Sequence, residues 1–287
     1  MKQRTTFSLK WRSFDLTMGK KTLVMGVINV TPDSFSDGGL FFDRDKAIAQ
    51  GEDLAAQGAD VLDIGGESTR PFSDPIPDEE EIRRIVPVIS ALAKKTSLPI
   101  SVDTYKAVVA KAALDAGASI VNDISSLGFD ADLGKLVAEY QVPLVLMHIK
   151  GRPRDMQVQP HYDHLLEELR TFFEERIQAA VNQGIDREMI LIDPGVGFGK
   201  TFHHNLTLIK GLDYFQDLGR PLVLGTSRKS FIGKLTGQQD PLNRDWGTAA
   251  TLAIGAWQGA HMVRVHNVSA ARQVLNVTDA LIEAAEE

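Results

Sequence analysis

The chain has 287 residues, of which 43% are hydrophobic and 24% charged, with a formal net charge of −7 at pH 7. That balance supports a packed core and excludes disorder as the default state, while the acidic total argues against nucleic acid as a partner. There is no cysteine, which removes disulfides, thiolate chemistry and cysteine zinc sites together.

Residues 1–20 are polar and charged, without the apolar stretch of a secretion signal. No apolar run approaches the ~20 residues of a membrane span. The expectation is a cytoplasmic protein with no membrane partner.

Residues 7–17 precede the first strongly apolar run and read as a short hairpin closing the bottom of the fold. Eight apolar runs then follow, at 23–28, 61–64, 100–102, 120–121, 144–147, 189–192, 222–224 and 262–265. They are rich in Val, Ile and Leu with little polar alternation, as expected of strands buried on both faces. The segments between them read as helices. Residues 44–57 put Ala47, Ile48, Leu54 and Ala55 on one face, and 82–92 do the same with Ile82, Ile85, Val86 and Ile89. Asp78, three residues before Glu81, has the spacing of a capping box. Residues 165–181 form a long charged amphipathic helix, and 270–287 carry Val274, Leu275, Val277, Leu281 and Ile282. Three helices end in Gly-Ala just before a strand, at Gly58, Gly117 and Gly259. Glycine is preferred there because the backbone turns left-handed.

Alternating strands and helices predict a parallel sheet. Eight strands predict a closed (β/α)8 barrel, a single domain over 1–287 with 1–20 as extension or hairpin. No Gly-x-Gly-x-x-Gly follows the first run, which argues against a dinucleotide fold.

Barrel chemistry sits at the C-terminal ends of the strands. Here the runs end in polar side chains: Asn29; Glu67, Thr69 and Arg70; Asp103; Asn122 and Asp123; His148; Asp193; Ser227, Arg228, Lys229 and Ser230; Arg264 and His266. Two groups separate. Asp103, Asn122 and Asp193 offer acceptors plus one amide, suited to a flat heterocycle with several N–H groups. Arg70, Lys229, Arg264 and His266 form a cationic cluster suited to phosphate, with Asn29 as a neutral oxygen for Mg2+. Two long loops, 29–39 and 67–75, carry turn formers and aromatic residues on the same rim. His161 and His164 lack an obvious carboxylate partner, which disfavours a metal site there, and His203 and His204 flank a helix start.

These residues resemble dihydropteroate synthases from about 23 to 268. The resemblance rests on the Met-Gly-Val-Ile-Asn-Val-Thr-Pro-Asp-Ser-Phe-Ser-Asp-Gly-Gly run from Met25, Asp63-Ile64-Gly65-Gly66-Glu67-Ser68-Thr69-Arg70-Pro71, Asp103-Thr104, Asn122-Asp123, the Asp-Pro-Gly-Val-Gly-Phe-Gly-Lys run from Asp193, Ser227-Arg228-Lys229-Ser230 and Arg264-Val265-His266. It implies a transferase of folate synthesis and sulfonamide target, joining 6-hydroxymethyl-7,8-dihydropterin pyrophosphate to p-aminobenzoate. It implies a pterin site of Asp103, Asn122, Asp193, Lys229 and Arg264, with Asp103, Lys229, Arg264 and His266 catalytic. Pyrophosphate would meet Asn29, Arg70, Arg264 and His266, with Mg2+ on Asn29. p-Aminobenzoate would meet Phe35, Thr69, Arg70, Pro71 and Ser230. A homodimer through helices away from the rim is implied. Phe72 stands where the family more often has glycine, and Asn267 replaces a commoner aspartate. The alternatives are a silent pterin-binding paralogue and a methyltetrahydrofolate-type methyltransferase barrel. The phosphate cluster and the long first loop argue against the second.

Overall fold

Residues 7–18 alternate apolar and polar side chains, and in the computed structural model, which describes residues 4–31 and 40–284, they form an antiparallel hairpin. Its strands are β1 (Phe7–Trp11) and β2 (Phe14–Met18). Leu9, Trp11 and Met18 turn inward and join the main core. Trp11 Nε1 donates to Ser119 O at 2.7 Å and Arg12 Nη1 to Ala118 O at 2.8 Å. Both acceptors stand just before a barrel strand, so the hairpin covers the N-terminal floor, as expected.

The eight apolar runs become β3 (Leu23–Asn29), β4 (Val61–Gly65), β5 (Ile100–Asp103), β6 (Ile120–Asp123), β7 (Leu144–Met147), β8 (Ile190–Asp193), β9 (Val223–Leu224) and β10 (Met262–Val265). All neighbours pair in parallel, in the order β8-β7-β6-β5-β4-β3-β10-β9. A parallel bridge between Ile192 and Leu222, with Ile192 N donating to Pro221 O at 3.0 Å, closes the ring. β9 starts one residue into its apolar run: Leu222 donates its N–H to the His261 ring at 3.1 Å and joins the sheet only through its bridge to Ile192. The result is the (β/α)8 barrel the runs predict.

The outer layer is α1 (Leu40–Ala56), α2 (Asp78–Lys95), α3 (Ala107–Asp115), α4 (Leu133–Tyr140), α5 (Leu165–Asn182), α6 (Phe202–Lys210), α7 (Ser230–Thr236), α8 (Asp245–Trp257) and α9 (Val268–Glu283). The Gly-Ala joints behave as predicted, with φ of +94° at Gly58, +117° at Gly117 and +98° at Gly259. Arg4 ties the last helix to the floor, donating to Thr22 Oγ1 at 2.6 Å, Ala260 O at 3.0 Å and Asp279 Oδ1 at 2.5 Å.

One expectation about α2 is corrected. Asp78 is its first helical residue, after Pro77, and no side chain caps the start. Glu81 cannot reach back because it is buried and receives Lys106 Nζ at 2.8 Å. Four carboxylates, Asp78 to Glu81, occupy the first turn instead, where the positive end of the helix dipole favours them.

Candidate active site

Parallel register sets the site. Asn29 stands opposite Gly65, Gly65 opposite Asp103, and Asp103 opposite Asn122. Four neighbouring strand ends therefore meet in one row at the mouth. A Cβ on Gly65 would touch the Asp103 side chain, 3.4 Å from its Cβ, so the glycine leaves that carboxylate uncrowded. Further round the barrel, Met147 of β7 stands opposite Asp193 of β8.

Within the row, Arg264 ties the two predicted halves together. Its Nε donates to Asp63 at 2.6 Å and its Nη2 to Asp103 Oδ2 at 2.7 Å. Burial pulls the guanidinium down, but Asp63 and Asp103 more than offset it and raise it. Asp63 is fully buried and also receives Asn122 Nδ2 at 3.3 Å. The other Asp103 oxygen, Oδ1, is buried and has no hydrogen-bond partner among the described residues. Burial, opposed by Arg264 and assisted by Asp63, pushes Asp103 up to about 7. An acceptor held in this way suits an N–H donor on a bound ring.

On the far side, Asp193 accepts from Gly195 N at 2.7 Å, and burial raises it although Lys229 opposes. Lys229 donates to Val196 O and lies 4.4 Å from the Phe198 ring centre. Burial brings its ammonium down to about 8, against the pull of Asp193. Gly197 makes room for it, with φ +87° and a virtual Cβ only 3.0 Å from Lys229 Cδ.

The cationic cluster is smaller than the sequence suggests. His266 is held down to about 3 by burial, then by Arg264, Arg228 and Arg70, so it is a neutral imidazole at pH 7. Its Nδ1 lies 2.9 Å from Ser227 Oγ. Arg228 points away from the mouth, pairing with both Asp245 oxygens at 2.8 and 3.0 Å. Asn267 explains its own departure from aspartate: its amide donates to Asp245 at 2.8 Å while its oxygen caps α9. An aspartate could cap but could not donate.

Several rim residues are structural. Asp123 accepts from Ser125 N at 2.7 Å and Leu127 N at 2.5 Å, folding its own turn. His148 packs on Phe172 and meets Lys200 Nζ at 2.9 Å. Lys200 is buried, and burial holds it well below the ordinary lysine range. It also donates to Phe198 O at 2.9 Å, fixing the turn that carries the ring beside Lys229. His161 pairs with Asp163 on the surface, and no group of three or more His, Cys, Asp or Glu among the described residues could hold a metal. His204 belongs to a capping box with Thr201 at the start of α6.

Loop 66–77 carries Thr69, half-buried, and Arg70 and Pro71, exposed. Ser230, exposed, opens α7, and Asn29 is half-buried. Phe35 lies outside the described residues. Phe72 takes the left-handed φ of +66°, 69% exposed, with its N–H donating to Pro153 O at 3.0 Å. That conformation accounts for the family's glycine, which adopts it without a Cβ penalty.

Sequence reasoning did not single out Asp63, Lys200 or Phe198 as site residues. Asp63 had a signal: it is a lone carboxylate inside a strand otherwise made of Val61, Leu62, Ile64 and Gly65.

Fold and site together define a (β/α)8-barrel enzyme whose mouth joins a carboxylate–amide pocket to fixed cations. The model of the family described as "Pterin binding enzyme" matches residues 25–266. Dihydropteroate synthase from Synechocystis is 46% identical, covering 92% of this chain and 91% of that one. The Bacillus subtilis enzyme is 44% identical over 93% of this chain and 91% of its own. The Xanthomonas albilineans dihydropteroate synthase structure with 4-aminobenzoic acid superposes with a TM-score of 0.92 at 45% identity, covering 98% and 100% of the two chains. The same enzyme in complex with 7,8-dihydropteroate gives 0.85 at 43% identity, covering 94% and 97%. The chain belongs to the dihydropteroate synthases, within the pterin-binding enzymes.

Proposed function

We propose that this chain condenses 6-hydroxymethyl-7,8-dihydropterin pyrophosphate with p-aminobenzoate, releasing 7,8-dihydropteroate and pyrophosphate. The observation that carries the reading is the buried, unpartnered Asp103 Oδ1 beside Arg264, in a chain matching dihydropteroate synthases along 92% of its length.

The pterin ring sits among Asp103, Asn122 and Asp193, with Lys229 and Arg264 beside it. Its N–H groups donate to the carboxylates, and the Lys229 ammonium donates to a ring acceptor. Arg264, anchored by Asp63, and the exposed Arg70 attract the pyrophosphate. Neutral His266 contributes a hydrogen bond and no charge. The bond from the exocyclic carbon to the pyrophosphate oxygen breaks first. Positive charge then spreads into the pterin, where ionised Asp103 stabilises it electrostatically. The neutral arylamine, held by Thr69, Arg70, Pro71, Ser230 and Phe35, attacks the same carbon, forms the C–N bond and loses a proton.

Mg2+ belongs to this reading. Asn29 supplies a single neutral oxygen, which suits a cation that takes its anionic ligands from the pyrophosphate. Bound there, it would neutralise charge on the leaving group. A homodimer is part of the reading too, supported by exposed Ile254 and Trp257 on α8 and Val277 and Leu281 on α9. Light scattering at micromolar concentration decides it, and a monomer counts against. A cytoplasmic location is supported by the lack of cysteine; no helix among the described residues is long and apolar enough to cross a membrane.

The test is pyrophosphate release by purified protein. Sustained release should require both substrates. Pterin binding without release would instead mark a silent pterin-binding protein.

A further inference from the structure

Loop 66–77 has an exposed tip and a buried neck. At the neck, Glu67 and Ile76 are nine positions apart, yet Ile76 N donates to Glu67 Oε2 at 3.0 Å. Lys106 Nζ lies at the centre. It donates to Glu67 Oε2 at 2.7 Å, to Ile76 O at 2.7 Å and to Glu81 Oε2 at 2.8 Å. Tyr105 OH takes the other Glu67 oxygen at 2.8 Å. The Lys106, Glu67 and Glu81 side chains are 11%, 6% and 1% exposed. One ammonium therefore spends its three protons on the loop's entry, its exit and the first turn of α2.

Lys106 comes three residues after Asp103, from the strand end that carries the pterin carboxylate. The neck is thus referenced directly to the heterocycle pocket. Beyond it, side-chain support for the tip comes from Ser73 Oγ, whose single proton is shared between Ser68 O at 2.5 Å and Arg70 O at 2.7 Å. These bonds are internal to the loop and fix its shape, not its place. Placement relies on the neck and on one backbone bond at the tip, from Phe72 N to Pro153 O at 3.0 Å, and a loop free to sample other positions loses affinity through the entropy of ordering it.

We propose that Lys106 is a positioning residue for the amine substrate: by clamping both ends of loop 66–77 it holds Thr69, Arg70 and Pro71 over the mouth in register with Asp103. This rests on the reading of those three residues as the p-aminobenzoate side. The ordinary role of a buried ion pair, stability alone, would lower the unfolding temperature without separating the two substrates.

The experiment compares the full-length wild type with Lys106→Met, Lys106→Arg and Glu67→Gln. Two readouts are taken: KM for each substrate, and the rate of chymotryptic cleavage after Phe72 at the loop tip. Lys106→Met should raise the KM for p-aminobenzoate about tenfold or more, should raise that for the pterin pyrophosphate by a clearly smaller factor, since of the three loop residues only Arg70 also faces the pyrophosphate, and should speed cleavage. Lys106→Arg, whose fork can still meet both carboxylates, should recover most of both effects. If Lys106→Met does not fold, Glu67→Gln, which weakens the same neck, should reproduce the split. An unchanged p-aminobenzoate KM, or an equal rise for both substrates, overturns the proposal. Should the wild type show no condensation, the reaction reading fails and cleavage decides alone: equal rates in wild type and variants overturn the clamp.

Discussion

The two sides of the mouth are made differently. The carboxylate side is set by strand register and by Arg264, which bonds Asp63 and Asp103 at 2.6 and 2.7 Å. The loop side is set by turns, and Arg70 and Pro71, the residues proposed to meet substrate there, are exposed. The first is organised before any ligand arrives; the second has its place fixed at a neck and by one backbone bond at its tip, from Phe72 N to Pro153 O. In the proposed reaction, the heterocycle that must be oriented at a charged carbon would fall to the rigid half, and the simple arylamine to the adjustable one.

Removing Lys229 or Asp193 should break the rigid side hardest. Each truncation removes a ring-binding group and the opposite charge its neighbour feels across the pocket, so Lys229→Ala and Asp193→Ala should lower kcat/KM by roughly 10²- to 10³-fold or more. Circular dichroism should show both variants folded, and normal turnover by either would end the pterin assignment.

Next in size is the response to pH. Asp103 must be ionised to act on developing positive charge, and Lys229 must be protonated to donate. With these groups at about 7 and about 8, kcat/KM should climb as pH rises through the first value and decline as it passes the second. Lys229→Arg should move the alkaline limb upward, because a guanidinium stays charged to about pH 12. An unmoved limb would assign it elsewhere.

On the adjustable side, Arg70→Ala should raise the KM for p-aminobenzoate by about tenfold, roughly the 1.4 kcal/mol of one weakened contact. Affinity for the pterin without its pyrophosphate, followed by calorimetry, should stay within about twofold. The smallest effect belongs to Phe72→Gly. It relieves a left-handed φ at about 1–2 kcal/mol but adds about 0.5–1 kcal/mol of unfolded-state freedom. Thermal unfolding should shift upward by no more than about 1.5 kcal/mol equivalent, and a large loss would mean that the phenylalanine side chain itself supports the loop.

Much of the barrel was legible because its signal is local. Each apolar run reports its own burial, and each Gly-Ala joint reports its own turn. The strand-end carboxylates were legible for the same reason, since position along a run identifies the mouth. What was hidden depends on distant partners. Asp63 looks like a stray charge until Arg264 arrives from 201 positions away. Glu81 reads as half of a capping box until Lys106, on another element, claims it. His266 looks cationic in a list of basic residues, but burial and three arginines leave it neutral.

The hairpin floor gives this protein a built-in optical gauge. Of its three tryptophans, Trp246 and Trp257 are 90% and 46% exposed in the single chain, while Trp11 is 4% exposed. Two indoles therefore emit from water already, and the red shift on unfolding comes chiefly from the third. Trp11→Phe should erase most of that shift. In the wild type, the emission maximum follows the detachment of the barrel floor, far from the chemistry at the opposite end.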